Sequence, residues 1–185
     1  MTEYLSEHFS LEEMVYSETA IAKKIANKPN AIQKRVLRHT CQYCLEKLRA
    51  LLNEKYKEYK GKKVKAVGIN VTSGFRSDKL NAAIGGSTTS GHTKGECADI
   101  EATITYMNGV KATLPYNELY EDIKEFVRAK KLSVDQCIQE RSFDKVKKVW
   151  IYWVHVGHSS WGATKDRGQF LKYNNGMYSL DCVLK

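Results

Sequence analysis

The sequence predicts an α+β fold in which helices pack on one side of a small, mainly antiparallel β-sheet. Residues 31–59 and 116–131 repeat apolar side chains at the spacing of an amphipathic helix. Short β-branched segments, bounded by Gly, Asn and Lys, indicate strands joined by tight turns. With 185 residues, of which 42% are hydrophobic and 28% charged, we expect a single domain that spans residues 1–185.

The N-terminal helices are predicted from a cap and from periodicity. Ser10-Leu11-Glu12-Glu13 fits a capping box, so a short helix should begin near Leu11 and end before Lys23. Residues 31–59 should then form one long amphipathic helix with a basic outer face.

The middle of the chain alternates strand and turn signals. In chain order we predict a turn at 60–62, a strand at 64–71, a helix at 78–84 capped by Ser77 and ended by Gly85-Gly86, a strand at 98–106, a type I′ turn at Asn108-Gly109, a strand at 110–114 and the helix at 116–131. Leu119, Ile123, Phe126 and Val127 should form the inner face of that last helix.

Three strands are predicted in the C-terminal part. In residues 134–140 the two-residue period places Val134, Gln136, Ile138 and Glu140 on one face. Residues 149–157, VWIYWVHVG, are apolar on both faces, which is typical of a central strand that is buried from both sides. A last strand near residues 177–183 should close the domain.

The charge balance favours anionic partners. Thirty Lys and Arg against 21 Asp and Glu give a net charge of +9, which suits nucleic acid, an anionic membrane or an anionic bacterial cell wall. The basic residues are spread along helices instead of alternating with aromatics in one block, so we expect no nucleic-acid partner.

Cysteine use and targeting signals indicate the compartment. Five cysteines without an export signal make a disulfide framework improbable, and Cys41 and Cys44 lack the second pair that a metal site would need, so we interpret them as small buried side chains. The start of the chain lacks a basic segment followed by an apolar one, and no apolar run could span a bilayer. We therefore expect synthesis in the cytoplasm and no stable membrane insertion.

The stretch from Thr72 to Ile100 is the first candidate for chemistry. It contains His92 and Asp99, in a run rich in Gly and Ser that a packed helix would not use. Two ligands of one metal must lie within about 4 Å of each other, so the chain would have to fold back between them, and Gly91 and Gly95 permit such a turn. The alternative is a polar surface loop in which His92 is incidental.

His155 is the second candidate, because it lies inside the apolar strand at 149–157. A buried imidazole needs partners, and a hydrogen bond to the backbone is the simplest one. Together with His92 and Asp99, however, it would complete two nitrogens and one carboxylate oxygen, which leave a fourth tetrahedral position open, as in catalytic zinc sites. Glu140, predicted at the end of its strand, could then serve as the general base, or it is a solvated strand-end carboxylate.

Ordered sequence blocks carry a family resemblance. SGFRSDKLNAAIGG, SGHTKGECAD, DQCIQE and WVHVG resemble the zinc D-Ala-D-Ala carboxypeptidase and phage endolysin peptidase family, which shares its fold with Hedgehog signalling domains. FSLEEMVYSETA is similar to the opening helix of that family, so the resemblance runs from Phe9 to about Gly157.

The resemblance implies a role for each candidate residue. It implies His92, Asp99 and His155 as ligands of Zn²⁺ on the open face of the sheet, Glu140 as catalytic base, and Arg76 and Ser90 as substrate-binding residues, with Arg76 holding a peptide carboxylate or the developing oxyanion. Gly91 and Cys97 depart from the family, which often has a larger polar residue and an alanine there. Cys97 is either a small buried side chain or a fourth ligand, and His158 is a weaker rival of His155 on the opposite strand face.

The function that follows from the resemblance is hydrolysis of an amide bond in the peptide stem of bacterial peptidoglycan, by a monomeric phage or prophage lysin that reaches the wall through a holin pore. The first alternative is a D,D-carboxypeptidase that trims terminal D-Ala. The second is a non-catalytic, zinc-stabilised wall-binding module.

Overall fold

A mixed β-sheet forms the centre of the computed structural model, which describes residues 2–159, 165–174 and 176–184. The helices are α1 (Leu11–Val15), α2 (Glu18–Ala22), α3 (Ala31–Thr40), α4 (Glu46–Lys55), α5 (Asp78–Ala83) and α6 (Tyr116–Arg128), with a π-helical segment at Cys41–Leu45 and a 3₁₀ turn at Gly91–Thr93. The strands are β1 (Glu58–Tyr59), β2 (Lys62–Ser73), β3 (Cys97–Tyr106), β4 (Lys111–Leu114), β5 (Gln136–Asp144), β6 (Val149–Gly157), β7 (Gln169–Asn174) and β8 (Met177–Val183).

The sheet is mainly antiparallel, as predicted, but it is larger than the small sheet we expected. Its eight strands run in the order β1-β2-β3-β6-β5-β7-β8, and β4 pairs with β3. β5 and β7 are parallel, whereas the other paired strands are antiparallel. The α+β class is therefore confirmed, with a mixed sheet.

The first predicted helix is present but divided. Ser10 caps α1 by accepting a hydrogen bond from the Glu13 N–H at 3.1 Å. Tyr16 is extended, so α1 ends at Val15, and Ser17 caps α2 by accepting from the Ala20 N–H at 3.2 Å. A second capping serine so close to the first interrupts what we predicted as one helix.

The long predicted helix is also present, and it ends earlier than expected. Residues 31–55 are helical through α3, the π-helical segment and α4, whereas residues 56–59 leave the helix for the hairpin of β1 with β2. Lys60 and Gly61, both with positive φ, form that hairpin turn. Cys41 and Cys44 are fully buried free thiols, as predicted.

The β3–β4 hairpin does not use the predicted type I′ turn. A type I′ turn requires positive φ at both central residues, and here Gly109 has a φ of +83° whereas Asn108 is not in that region. The Gly109 N–H donates to the Tyr106 carbonyl and the Tyr106 N–H donates to the Val110 carbonyl, both at 2.9 Å. The hairpin thus has a longer connection than Asn-Gly alone.

β5 begins and ends later than predicted. It continues to Asp144, so Glu140 lies inside the strand and not at its end. Val134 precedes β5 and belongs to the buried apolar core, so it does not share the face of Ile138 and Glu140. The longer strand places Glu140 directly opposite Trp153 of β6.

The prediction that β6 is buried from both sides is wrong for its first half. Trp150 and Tyr152 are 40% and 38% exposed, whereas Val154 and Val156 are fully buried. β3 pairs only with residues 154–157 of β6, and β4 takes the same edge of β3 farther along. Among the described residues, β5 is therefore the only strand that pairs with residues 149–153, which apolar composition could not reveal.

The two faces of the sheet differ in chemistry. The face under α4 and α6 carries core side chains such as Ile100, Val154 and Phe170, within a connected cluster of buried apolar residues. Asp99 precedes Ile100 and His155 follows Val154, so the side chains of Asp99 and His155 lie on the opposite face.

The C-terminal strand β8 was predicted, but its partner β7 was not. Among the described residues, no helix combines the length and apolar character that crossing a membrane requires.

Candidate metal and catalytic site

The chain folds back between His92 and Asp99, as their pairing requires. The 3₁₀ turn at Gly91–Thr93 is followed by Gly95, with a φ of +83°, after which β3 begins. A Cβ at Gly95 would lie 2.9 Å from Leu37 Cγ on α3, so both the conformation and the packing require glycine. His92 Nε2 thereby comes to 3.3 Å from Asp99 Oδ1.

His155 joins this pair through the register of the sheet. Asp99 of β3 lies directly opposite His155 of β6. His155 Nδ1 is 2.9 Å from Asp99 Oδ1 and 3.3 Å from His92 Nε2. Donor atoms of a tetrahedral zinc site with bonds of about 2.1 Å lie roughly 3.4 Å apart. The donor atoms of these residues therefore form a triangle of the size that zinc requires.

Neighbouring groups orient each donor atom. His92 Nδ1 donates a hydrogen bond to the Gly74 carbonyl at 2.6 Å, because a carbonyl can only accept, and this leaves the lone pair of Nε2 directed at Asp99. Arg76 Nη2 donates to Asp99 Oδ2 at 2.6 Å, and Arg76 Nε donates to Ser73 Oγ at 2.9 Å. Oδ1 of Asp99 is thus the oxygen that faces both imidazoles.

The protonation of this cluster follows from burial and charge. Burial opposes ionisation of Asp99, but the imidazoles of His92 and His155 hold the pKa of its carboxyl well below the usual range. Burial lowers the pKa of His155, whereas Cys97 and Asp99 outweigh it and raise that pKa to about 10. The low pKa of Asp99 favours its ionised carboxylate, which is the form that binds a metal ion, whereas metal binding by His155 requires the neutral imidazole.

Glu140 lies beside the donor triangle on β5. It is 9% exposed, and one of its carboxylate oxygens, one of Asp99 and a nitrogen of His155 all lie within 4.8 Å of one another. Burial raises the pKa of Glu140 to about 7, and the charge of Asp99 adds to this effect. A carboxyl with a pKa near neutrality is suited to accept and release a proton.

Gly91 lies beside Cys97. A Cβ at Gly91 would lie 3.0 Å from Cys97 Sγ, so the missing side chain at one position makes room for the sulfur at the other. Cys97 is buried, and its Sγ forms a second possible metal-binding group with His92 and His155, with ligand atoms within 4.8 Å of one another. Burial raises the pKa of its thiol, which disfavours the thiolate that metal binding needs.

Ser90 and His158, the remaining candidates, differ in their position relative to the cavity. Ser90 lines the same cavity, and its Oγ accepts a hydrogen bond from the His92 N–H at 3.3 Å. His158 is not brought to the site: its Nδ1 lies 2.7 Å from Asp166 Oδ2, and its ring stacks on His39 at 5.1 Å. His158 was predicted to be a weaker candidate ligand than His155, and its ring lies away from the donor triangle.

The cavity around the cluster has a volume of about 570 Å³ and extends beyond the predicted residues. Sequence reasoning missed three aromatic residues that line it, Trp153 of β6, Tyr173 of β7 and Tyr178 of β8. Aromatic residues at 170, 173 and 178 were the available signal, but they did not reveal which strand β7 would join.

Comparison with known proteins gives one match. A family model described as Peptidase M15 matches residues 7–114. Comparison with curated proteins and with solved structures found no significant match. The matched segment contains Arg76, Ser90, His92 and Asp99, whereas Glu140 and His155 lie beyond it.

Proposed function

This chain belongs to the Peptidase M15 family, and we propose that it is a zinc-dependent endopeptidase that hydrolyses an amide bond in the peptide stem of bacterial peptidoglycan. Membership makes it a peptidase, of a family that generally depends on zinc. The zinc-dependent mechanism is supported by the triangle of donor atoms on His92, Asp99 and His155, with sides of 2.9, 3.3 and 3.3 Å.

The proposed ligands fit zinc in number and in kind. Two imidazole nitrogens and one carboxylate oxygen leave a position for water, which distinguishes a catalytic zinc from a structural one. Zinc in such a site supplies Lewis acidity that activates water and polarises a carbonyl. Gly74 and Arg76 hold His92 and Asp99 in the orientation that binding needs.

Glu140 is proposed to transfer the proton. As the water oxygen bonds to the scissile carbonyl carbon, Glu140 takes a proton from that water and delivers it to the amide nitrogen, whose bond to carbon breaks. The products are a carboxylic acid and an amine. Arg76 donates from Nε to Ser73 and from Nη2 to Asp99. Its Nη1 group is therefore the donor that we propose binds the substrate, together with Ser90.

The lining of the cavity favours an endopeptidase over a carboxypeptidase. Besides the donor triangle it includes Ser87 and Ser90 from the loop before β3, and Tyr173 and Tyr178 from β7 and β8, so separate parts of the chain are available to contact an extended substrate. A carboxypeptidase needs a closed end that receives a terminal residue. The net charge of +9 suits an anionic cell wall, as expected of a phage or prophage lysin.

The proposal is tested by digesting purified sacculi and identifying the muropeptides by mass spectrometry. Zinc-loaded protein should release stem fragments with a new amine and a new carboxylate, and Glu140→Gln should bind zinc at the wild-type ratio while kcat falls by about 10²–10⁴-fold. Free D-Ala without solubilised fragments would select the carboxypeptidase. Unchanged muropeptides with retained wall binding would select the non-catalytic module.

A further inference from the structure

The strand register places aromatic side chains on both sides of Glu140. Trp153 of β6 is the direct partner of Glu140, Tyr173 of β7 is its partner on the other side, and Tyr178 of β8 is the partner of Tyr173. Directly opposed residues share a face of the sheet. The four side chains therefore form one row across four strands, which we call the aromatic row.

The row is part of the candidate site. Trp153, Tyr173 and Tyr178 line the same cavity as His92, Asp99 and His155. Tyr173 pairs with Glu140 in the strand register and Tyr178 pairs with Tyr173, so Tyr178 lies two strands from Glu140 along the row. A ligand seated on Tyr178 would thus extend to the proposed reaction centre.

The outer end of the row is open. Tyr178 is 61% exposed, and its ring centroid lies 4.6 Å from that of Tyr173, with the planes inclined by 44°. Leu171 and Leu180 are paired in the neighbouring row, and Leu180 is 62% exposed. An open apolar surface of this kind fits a ligand that continues past the site, whereas a single aliphatic side chain would need an enclosed pocket.

We propose that the aromatic row is a saccharide-binding subsite, which holds the glycan end of the substrate while the stem peptide lies at the metal cluster. This inference rests on the proposed function. Tyr and Trp present a flat apolar body and a polar tip, and a pyranose ring presents an apolar C–H face with a rim of hydroxyl groups. Apart from Glu140, the charged or titratable residues that line the cavity, Arg76, His92, Asp99 and His155, lie outside the row, so the ionic groups of the peptide would be bound at the metal cluster.

The outer part of the row lies on β7 and β8, which follow β6 in the chain. Residues 169–183 of β7 and β8 lie outside the segment that matches the family, residues 7–114. The proposed ligands and base come from the 3₁₀ turn at Gly91–Thr93 and from β3, β5 and β6. The hairpin of β7 with β8 therefore adds a recognition surface to a reaction centre that it does not complete.

The test compares one stem peptide in two forms, with and without its disaccharide. The measured quantity is the ratio of kcat/KM for the sugar-bearing form to that for the free peptide. Tyr178→Ala should lower this ratio about 5- to 10-fold through KM, whereas Tyr178→Phe should retain it. Tyr43→Ala is the matched control, because Tyr43 is 58% exposed and does not line the cavity.

Two results would overturn the inference. One is an equal loss on both substrates in Tyr178→Ala, which would mean that the tyrosine acts on the peptide or on the structure. The other concerns binding alone: calorimetric titration of N-acetylglucosamine oligosaccharides into the zinc-loaded Glu140→Gln protein should show heat that disappears when Tyr178→Ala is added, and no heat would refute the subsite. Because this second measurement needs no turnover, a failure of the proposed peptidase activity remains distinguishable.

Discussion

Two His–Asp pairs in the described part of the chain differ in what surrounds them. His155 Nδ1 lies 2.9 Å from Asp99 Oδ1, and His158 Nδ1 lies 2.7 Å from Asp166 Oδ2. Asp99 also faces His92 and lines a cavity. Asp166 also accepts hydrogen bonds from Ser133 Oγ at 2.6 Å and from the Ser159 N–H at 2.7 Å.

The comparison shows that proximity of His to Asp does not make a site. At Asp166 every contact described above ends on the protein itself, and His39 covers the His158 ring. At Asp99 the second histidine and the arrangement of donor atoms leave room for an ion next to a cavity. We therefore interpret the pair of His155 with Asp99 as part of a metal site, and the pair of His158 with Asp166 as one that stabilises the fold.

The largest expected effect comes from exchanging each carboxylate for its amide. Asp99→Asn should lower zinc affinity by more than the roughly 10–100-fold that loss of an outer-shell partner costs, and peptidase activity should be lost with the metal. Asp166→Asn should keep the zinc and lower the free energy of unfolding by about 1–3 kcal/mol, because buried donors lose their acceptor. Zinc content and urea denaturation measure the two effects. Loss of zinc from a folded Asp166→Asn variant would contradict the conclusion that Asp166 only stabilises the fold.

A smaller effect on zinc affinity is expected at Arg76. It binds Oδ2 of Asp99 and so leaves Oδ1 to face the imidazoles. Arg76→Lys keeps the charge but cannot donate to both Ser73 and Asp99 from one planar group. Zinc affinity should fall about 10-fold, as measured by competition with a chromophoric chelator. Arg167→Lys is the matched control, since Arg167 pairs with Asp135 outside the cavity. Equal affinities in both variants would contradict the orienting role.

The smallest effect is expected where Gly91 and Cys97 meet. Gly91→Ala should lower the free energy of unfolding by about 1–2 kcal/mol, because the new methyl group contacts Cys97 Sγ at 3.0 Å. Combining it with Cys97→Ala should recover most of that loss, so the two changes should be non-additive. Both single variants should retain zinc if Cys97 only fills space. Loss of zinc in Cys97→Ala would make the sulfur a ligand.

Much of the fold could be predicted from local signals. Serine caps and apolar periodicity located α1 and α6, and β-branched alternation located β2 and β3, because each of these patterns acts within a few residues. Exposure in the first half of β6 could not be predicted, since apolar side chains look alike in a core and on a binding face. Strand order and the parallel pairing of β7 depend on contacts far apart in sequence.

The candidate site divides in the same way. The Gly-rich turn made the pairing of His92 with Asp99 predictable, and an imidazole in an apolar strand indicated His155. Glu140 was predicted near the metal ligands, and it lies near His155 and Asp99, but at mid-strand instead of at a strand end. The aromatic row went unnoticed because it exists only across strands, through a register that no single segment encodes.

The insertion of β6 between β3 and β5 affects how the chain can be made and cut. During synthesis on a ribosome, β2, β3 and β4 leave the exit tunnel first, and the edge of β3 at Cys97–Ile100 has no partner until residues 154–157 follow. An unpaired strand edge invites aggregation. A fragment that stops near residue 114 would therefore be a poor experimental substitute for the whole protein, even though the family model covers that span.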